Sequence, residues 1–156
     1  MKKLIYLFVL LGAMVSCEDD IDDNTPAFQG TIDGEFFRAT QLGVTPGEDD
    51  VWILEGTMTV EKITLQIVDL NTGIYGLGEN LRNTGTYTKE GDGTFFTGET
   101  GNTGNVTISE YNTEENFISG VFKFTANNED GSVNVQDGIF YRVPIIGTPP
   151  APVPMP

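Results

Sequence analysis

NFISGVFKFTANNEDGSVNVQDGIFYRV, residues 116–143, decides the fold class. Two alternating runs flank the turn Glu129-Asp130-Gly131. In the first run Ile118, Phe122 and Phe124 share a face. In the second, Val133, Val135, Ile139, Tyr141 and Val143 are expected on one face, with Asn134, Gln136 and Arg142 opposite. A period of two is the signature of a strand buried on one side. A short acidic turn ending in glycine joins two such runs as a hairpin.

The same pattern spreads outward. In EKITLQIVDL, residues 61–70, Ile63, Leu65 and Ile67 face one way and Lys62, Thr64 and Gln66 the other. Val106 and Ile108 repeat the alternation. Asp33-Gly34 separates FQGTI from EFFRAT, a strong two-residue hairpin signal. Asn71-Thr72-Gly73 breaks the chain before Ile74-Tyr75-Gly76-Leu77. No stretch of the middle carries a helical period. We expect an all-β domain over residues 27–146, an antiparallel β-sandwich of about 8–10 strands, with an open β-barrel as the alternative. A chain of this size supports one core and one domain.

The flanks differ in character. Lys2 and Lys3 precede twelve uncharged, mostly large apolar residues from Leu4 to Val15. That run is too short to span a bilayer core, which needs about 20 residues, and residues 1–16 read as an export signal. It ends in Met14-Val15-Ser16-Cys17, and Cys17 is the single cysteine. A lone cysteine in an exported chain has no disulfide partner. The MVSC stretch resembles a bacterial lipobox, with Met14 where leucine is usual. That resemblance implies cleavage before Cys17 and acylation of Cys17, hence a stable membrane anchor. Residues 17–26 are then a tether carrying Glu18, Asp19, Asp20, Asp22 and Asp23, which repel one another and stay extended. An acidic run directly after the lipidated cysteine also resembles the surface-export signal of Bacteroidota lipoproteins. Outer-membrane anchoring with display at the cell surface is therefore expected, and the periplasmic face is the alternative. Residues 147–156 form a proline-rich tail suited to polyproline II or disorder.

Composition limits the chemistry. The net charge is −15, and without Lys2 and Lys3 six basic side chains face 23 acidic ones, a net −17. Nucleic acid is an unsuitable partner, since binding it requires cations at the phosphates. Histidine is absent, which removes the commonest general base and transition-metal ligand. No cofactor is expected. A metal, if any, would be a hard cation such as Ca²⁺ on oxygen ligands.

Candidate sites are few. Asn128, Asp130 and Gly131 match the third, fifth and sixth positions of a calcium loop, with Asp137 at the twelfth. Ala126 at the first position has no side-chain oxygen, and a hairpin turn accounts for the same residues. Trp52, Tyr75 and Tyr87, with Phe95, Phe96 and Tyr111, would form a glycan-stacking platform if exposed together; core packing is the competing reading. Glu48-Asp49-Asp50 reads as a solvated acidic turn, and the Gly/Thr/Asn-rich residues 97–105 as a long loop. Glu114 and Glu115 fall in a turn after Tyr111. No serine has a histidine to activate it, and no phosphate-binding or dinucleotide fingerprint is present. A hydrolase using carboxylates alone is the remote catalytic alternative.

Taken in order, MVSC, the acidic run, AFQGTIDGEFFRAT, ITLQI, TGIYGL, NVTISEY, ISGVFKFTA and VNVQDGIFYRV resemble a family of small uncharacterised Bacteroidota lipoproteins with a domain of unknown function. The resemblance implies the fold and the anchor and adds no catalytic residue. The expected function is a non-catalytic, membrane-anchored domain that binds or supports an envelope partner, a protein or a glycan, with a carbohydrate-binding module as the alternative.

Overall fold

A computed structural model describes residues 25–78, 82–98 and 103–147. The signal, Cys17 with Glu18, Asp19 and Asp20, and residues 148–156 lie outside the described residues. So do residues 99–102 of the long loop.

Eleven strands and no helix make up the described chain: β1 (Ala27–Ile32), β2 (Glu35–Arg38), β3 (Gln41–Pro46), β4 (Trp52–Met58), β5 (Glu61–Ile67), β6 (Gly73–Leu77), β7 (Thr84–Lys89), β8 (Gly93–Phe96), β9 (Gly104–Asn112), β10 (Phe117–Asn128) and β11 (Gly131–Pro144). They form one antiparallel sheet in the order β2-β1-β11-β10-β8-β7-β5-β4-β3. β10 carries a branch: its first two-thirds pair with β9, which pairs with β6, and Asn127 pairs with Phe96 of β8. The sheet curls until Val44 of β3 meets Ile145 beyond β11, where the Ile146 amide donates to the Val44 carbonyl at 2.6 Å. The result is a curled half-barrel, compatible with both a sandwich and an open barrel.

The alternation read from the sequence sets the core. Ile63, Leu65 and Ile67 are fully buried, as are Ile118, Phe122 and Phe124 to within two per cent. Phe122 is the hub of the aromatic cluster, with ring centroids 4.9 Å from Phe28, 6.5 Å from Phe124 and 6.4 Å from Phe140. Each such ring contributes roughly 1.5–3 kcal/mol by leaving water. At Gly56 and Gly120 the core leaves no room for a side chain. A Cβ on Gly56 would run into the Phe28 ring, and one on Gly120 into the Thr107 carbonyl and Phe140.

β11 departs from simple alternation. Val133, Val135 and Val143 point inward as expected, but Ile139 is 43% exposed and Tyr141 faces solvent, while Phe140 is fully buried. The cause is two β-bulges. Phe122 pairs with Gly138 but Phe124 with Val135, so β11 carries one extra residue there; Ile118 pairs with Val143 but Gly120 with Phe140, giving a second. Asp137 and Arg142 take positive φ at these two points, 51° and 46°. Each extra residue flips the facing of the strand beyond it. β11 therefore reads inward at Val133 and Val135, then at Gly138 and Phe140, then again at Val143.

Candidate functional site

The half-barrel has two unlike ends. β1 enters at Ala27, opposite Tyr141, and Ile145 closes against Val44 nearby. The hairpin turns β1–β2, β4–β5, β7–β8 and β10–β11 gather at the other end, about 17 Å away along β1 at ~3.4 Å per residue. The β1–β2 turn is tight because Asp33 and Gly34 both take positive φ, 50° and 88°, as a two-residue hairpin requires.

A cleft of about 380 Å³ opens at this hairpin end. Ile32, Phe37, Phe95 and Val133 supply buried apolar wall, and Phe36 stands at the lip with 65% of its surface exposed. Asp33, Glu35, Glu61 and Asp92 bring four carboxylates, and Lys89 the one ammonium, so the cleft carries a net charge of −3.

Glu61 is the best-held of the four. The Tyr87 hydroxyl donates to its Oε1 at 2.8 Å, and Lys89 Nζ lies 3.6 Å from the same oxygen. Lys89 also reaches Asp92 Oδ2 at 3.6 Å. Burial pushes the Tyr87 phenol well above its ordinary value, and the hydrogen bond and charge of Glu61 push the same way. Lys89 is held above its usual value by Glu61 first and Asp92 second. The register explains this arrangement. Glu61 pairs with Lys89 across β5 and β7, and Tyr87, two residues from Lys89, shares its face.

The residues singled out from the sequence fall elsewhere or in other roles. Asn128 Oδ1 accepts the amides of Asp130 and Gly131 at 2.9 and 3.0 Å and so closes the β10–β11 turn. Asp137 sits in the first bulge, six residues along β11 from Gly131, roughly 20 Å at strand rise. Asn128 and Asp130 therefore lie in the turn and Asp137 apart from them in the bulge. Among the described residues no group of three or more carboxylate, histidine or cysteine side chains is placed to hold a metal.

The aromatics expected to form a platform differ in exposure. Tyr87 is only 3% exposed and packs beside Phe95 at 5.9 Å, so its face is closed to a glycan. Trp52 and Tyr75 are partly buried against the core from β4 and β6. The Tyr75 hydroxyl donates to the Asn71 carbonyl at 2.6 Å, and burial, then Asp69, raises its pKa. Phe96 of the expected platform is 50% exposed on β8, and Phe36, which lies outside that platform, is 65% exposed. The sequence does carry a signal for it: Phe36 and Phe37 are neighbours after a two-residue turn, so one of them must point outward.

Residues 24–144 match the model of a family described as domain of unknown function (DUF6252), and the chain belongs to that family. No curated protein and no solved structure matches it.

Proposed function

We propose that this member of the family is a non-catalytic, lipid-anchored binding module that presents its hairpin-end cleft to an envelope protein. The observation that carries the proposal is the placement of the cleft. It lies at the end of the half-barrel remote from Ala27, where the chain from Cys17 enters β1. A domain anchored through acylated Cys17 and the acidic run Glu18, Asp19, Asp20 would turn this end away from the membrane. Outer-membrane anchoring at the cell surface is part of the same proposal, supported by the sequence of residues 1–23.

A binding role suits the side chains better than catalysis does. Lys89 bridges Glu61 and Asp92 as an ion-pair triad. Of the two carboxylates outside that triad, Asp33 accepts the Asn134 amide at 2.9 Å, whereas a carboxylate hydrolase works with two carboxyl groups facing its substrate from either side. A glycan partner is the second reading, favoured by the open face of Phe36 beside several carboxylates.

The test combines two variants in intact cells. Cys17→Ala should move the chain from the membrane to the soluble fraction. Phe36→Ala should leave it anchored but abolish its crosslinking to the partner. Membrane retention of Cys17→Ala contradicts the anchor, and undiminished crosslinking of Phe36→Ala contradicts the cleft. Polysaccharide in place of a protein adduct establishes the second reading.

A further inference from the structure

We infer that the cleft takes an ammonium or guanidinium head on an apolar stem, the chemistry of a lysine or arginine side chain offered by the partner. The inference rests on the cleft being the binding site and adds what it selects. Three independent features of the wall converge on it.

The first is the charge. Four carboxylates against one ammonium repel an anion and leave a neutral ligand with no charge partner. Opposite charges a few ångströms apart near a protein surface attract appreciably, and the attraction fades with salt. The second is the open ring of Phe36 at the lip. A cation over an aromatic face is attracted by the ring quadrupole, and with 65% of its surface exposed the Phe36 ring is open to one. The third is the apolar wall of Ile32, Phe37, Phe95 and Val133, which suits methylene groups behind a charged head. Lys89 already displays the fit from within the chain: it lines the same wall, and its head sits between Glu61 and Asp92. Glu35 and Asp33 remain without a cationic partner among the described residues. They lie on the β1–β2 hairpin with Phe36 and line the cleft beside it.

The experiment is calorimetric titration of the purified full chain with n-hexylammonium, n-hexanol and n-hexanoate. Two short peptides with central lysine or norleucine test whether the head is recognised as a peptide side chain or only as a free amine. The inference expects hexylammonium to bind several-fold more tightly than the other two. The lysine peptide should exceed the norleucine peptide, and the preference should fall at high salt. Phe36→Ala should weaken hexylammonium by about two- to fivefold, and Glu35→Gln should weaken it as well. Both positions are exposed, so neither variant endangers the fold. Equal binding of hexylammonium and hexanol, tighter binding of hexanoate, no binding of any probe, or indifference to both substitutions overturns the inference. If Phe36→Ala abolishes crosslinking in cells while the amine shows no preference, the cleft reading stands and this inference fails. If crosslinking survives Phe36→Ala, the cleft reading itself fails.

Discussion

Replacing Tyr87 by phenylalanine removes one oxygen and leaves the buried ring in place. The lost hydroxyl donates to Glu61 Oε1 at 2.8 Å. A hydrogen bond to a charged acceptor contributes about 1.5–3 kcal/mol, and Lys89 still faces the same oxygen. The expected loss at pH 7 is therefore about 2 kcal/mol, or roughly 5–10 °C in Tm for a domain of this size. Alkaline pH supplies a second, sharper expectation. Tyr87 is held protonated in the folded chain well above its ordinary value of 10.0. Its contribution is complete below pH 10 and is lost as pH rises further, because the unfolded chain ionises first. At pH 11 ionisation of the unfolded phenol favours unfolding by about 1.4 kcal/mol. The phenylalanine variant has no such group. The difference between wild type and Tyr87→Phe should shrink from about 2 kcal/mol at pH 7 to about 0.6 kcal/mol at pH 11. Urea denaturation of both proteins at the two pH values measures it. A loss below about 0.5 kcal/mol at pH 7, or one that does not diminish by pH 11, would refute the reasoning.

Packing sets the other expectations. Phe140→Ala should destabilise by about 3–5 kcal/mol and Tyr141→Ala by no more than about 0.5 kcal/mol, measured by urea denaturation; the reverse order would restore plain alternation along β11. Asn128→Ala should destabilise by about 1 kcal/mol through the two turn amides it leaves without an acceptor, and millimolar Ca²⁺ should not change the wild-type Tm. A Ca²⁺-dependent rise abolished by Asp137→Asn would establish the cation site. Gly120→Ala should lower stability by about 1–3 kcal/mol, since its Cβ meets the Thr107 carbonyl and the Phe140 ring. A change within experimental error would mean that β9 and β10 yield more readily than this packing implies.

The fold is legible in the sequence wherever one period runs uninterrupted. Ile63, Leu65 and Ile67 need only alternation, and Asp33-Gly34 needs only its tolerance of positive φ. β11 is legible at both ends and misleading between them. Asp137 and Arg142 take positive φ where the register of β11 shifts. Asp137-Gly138 is a dipeptide tolerant of positive φ that plain alternation ignores, and Arg142 carries no local signal, so plain alternation sends Phe140 outward and Ile139 inward. The cleft is less legible still. Phe36, Glu61 and the pair Lys89 and Asp92 come from three separate hairpins, and only the curl of the sheet brings them together. Tyr87 stands out as an aromatic, but its role depends on Glu61 lying near it across β5. Asn128 stands out for its oxygen, which in the folded chain is occupied by its own turn.

The central claim is that the hairpin-end cleft faces the partner. A photo-crosslinking residue placed at position 36 in intact cells, with the same residue at position 123 on the exposed face of β10 as the control, tests it directly. The account predicts one dominant adduct from position 36 and none from position 123. Equal adducts from both positions, or an adduct from position 123 alone, would contradict it.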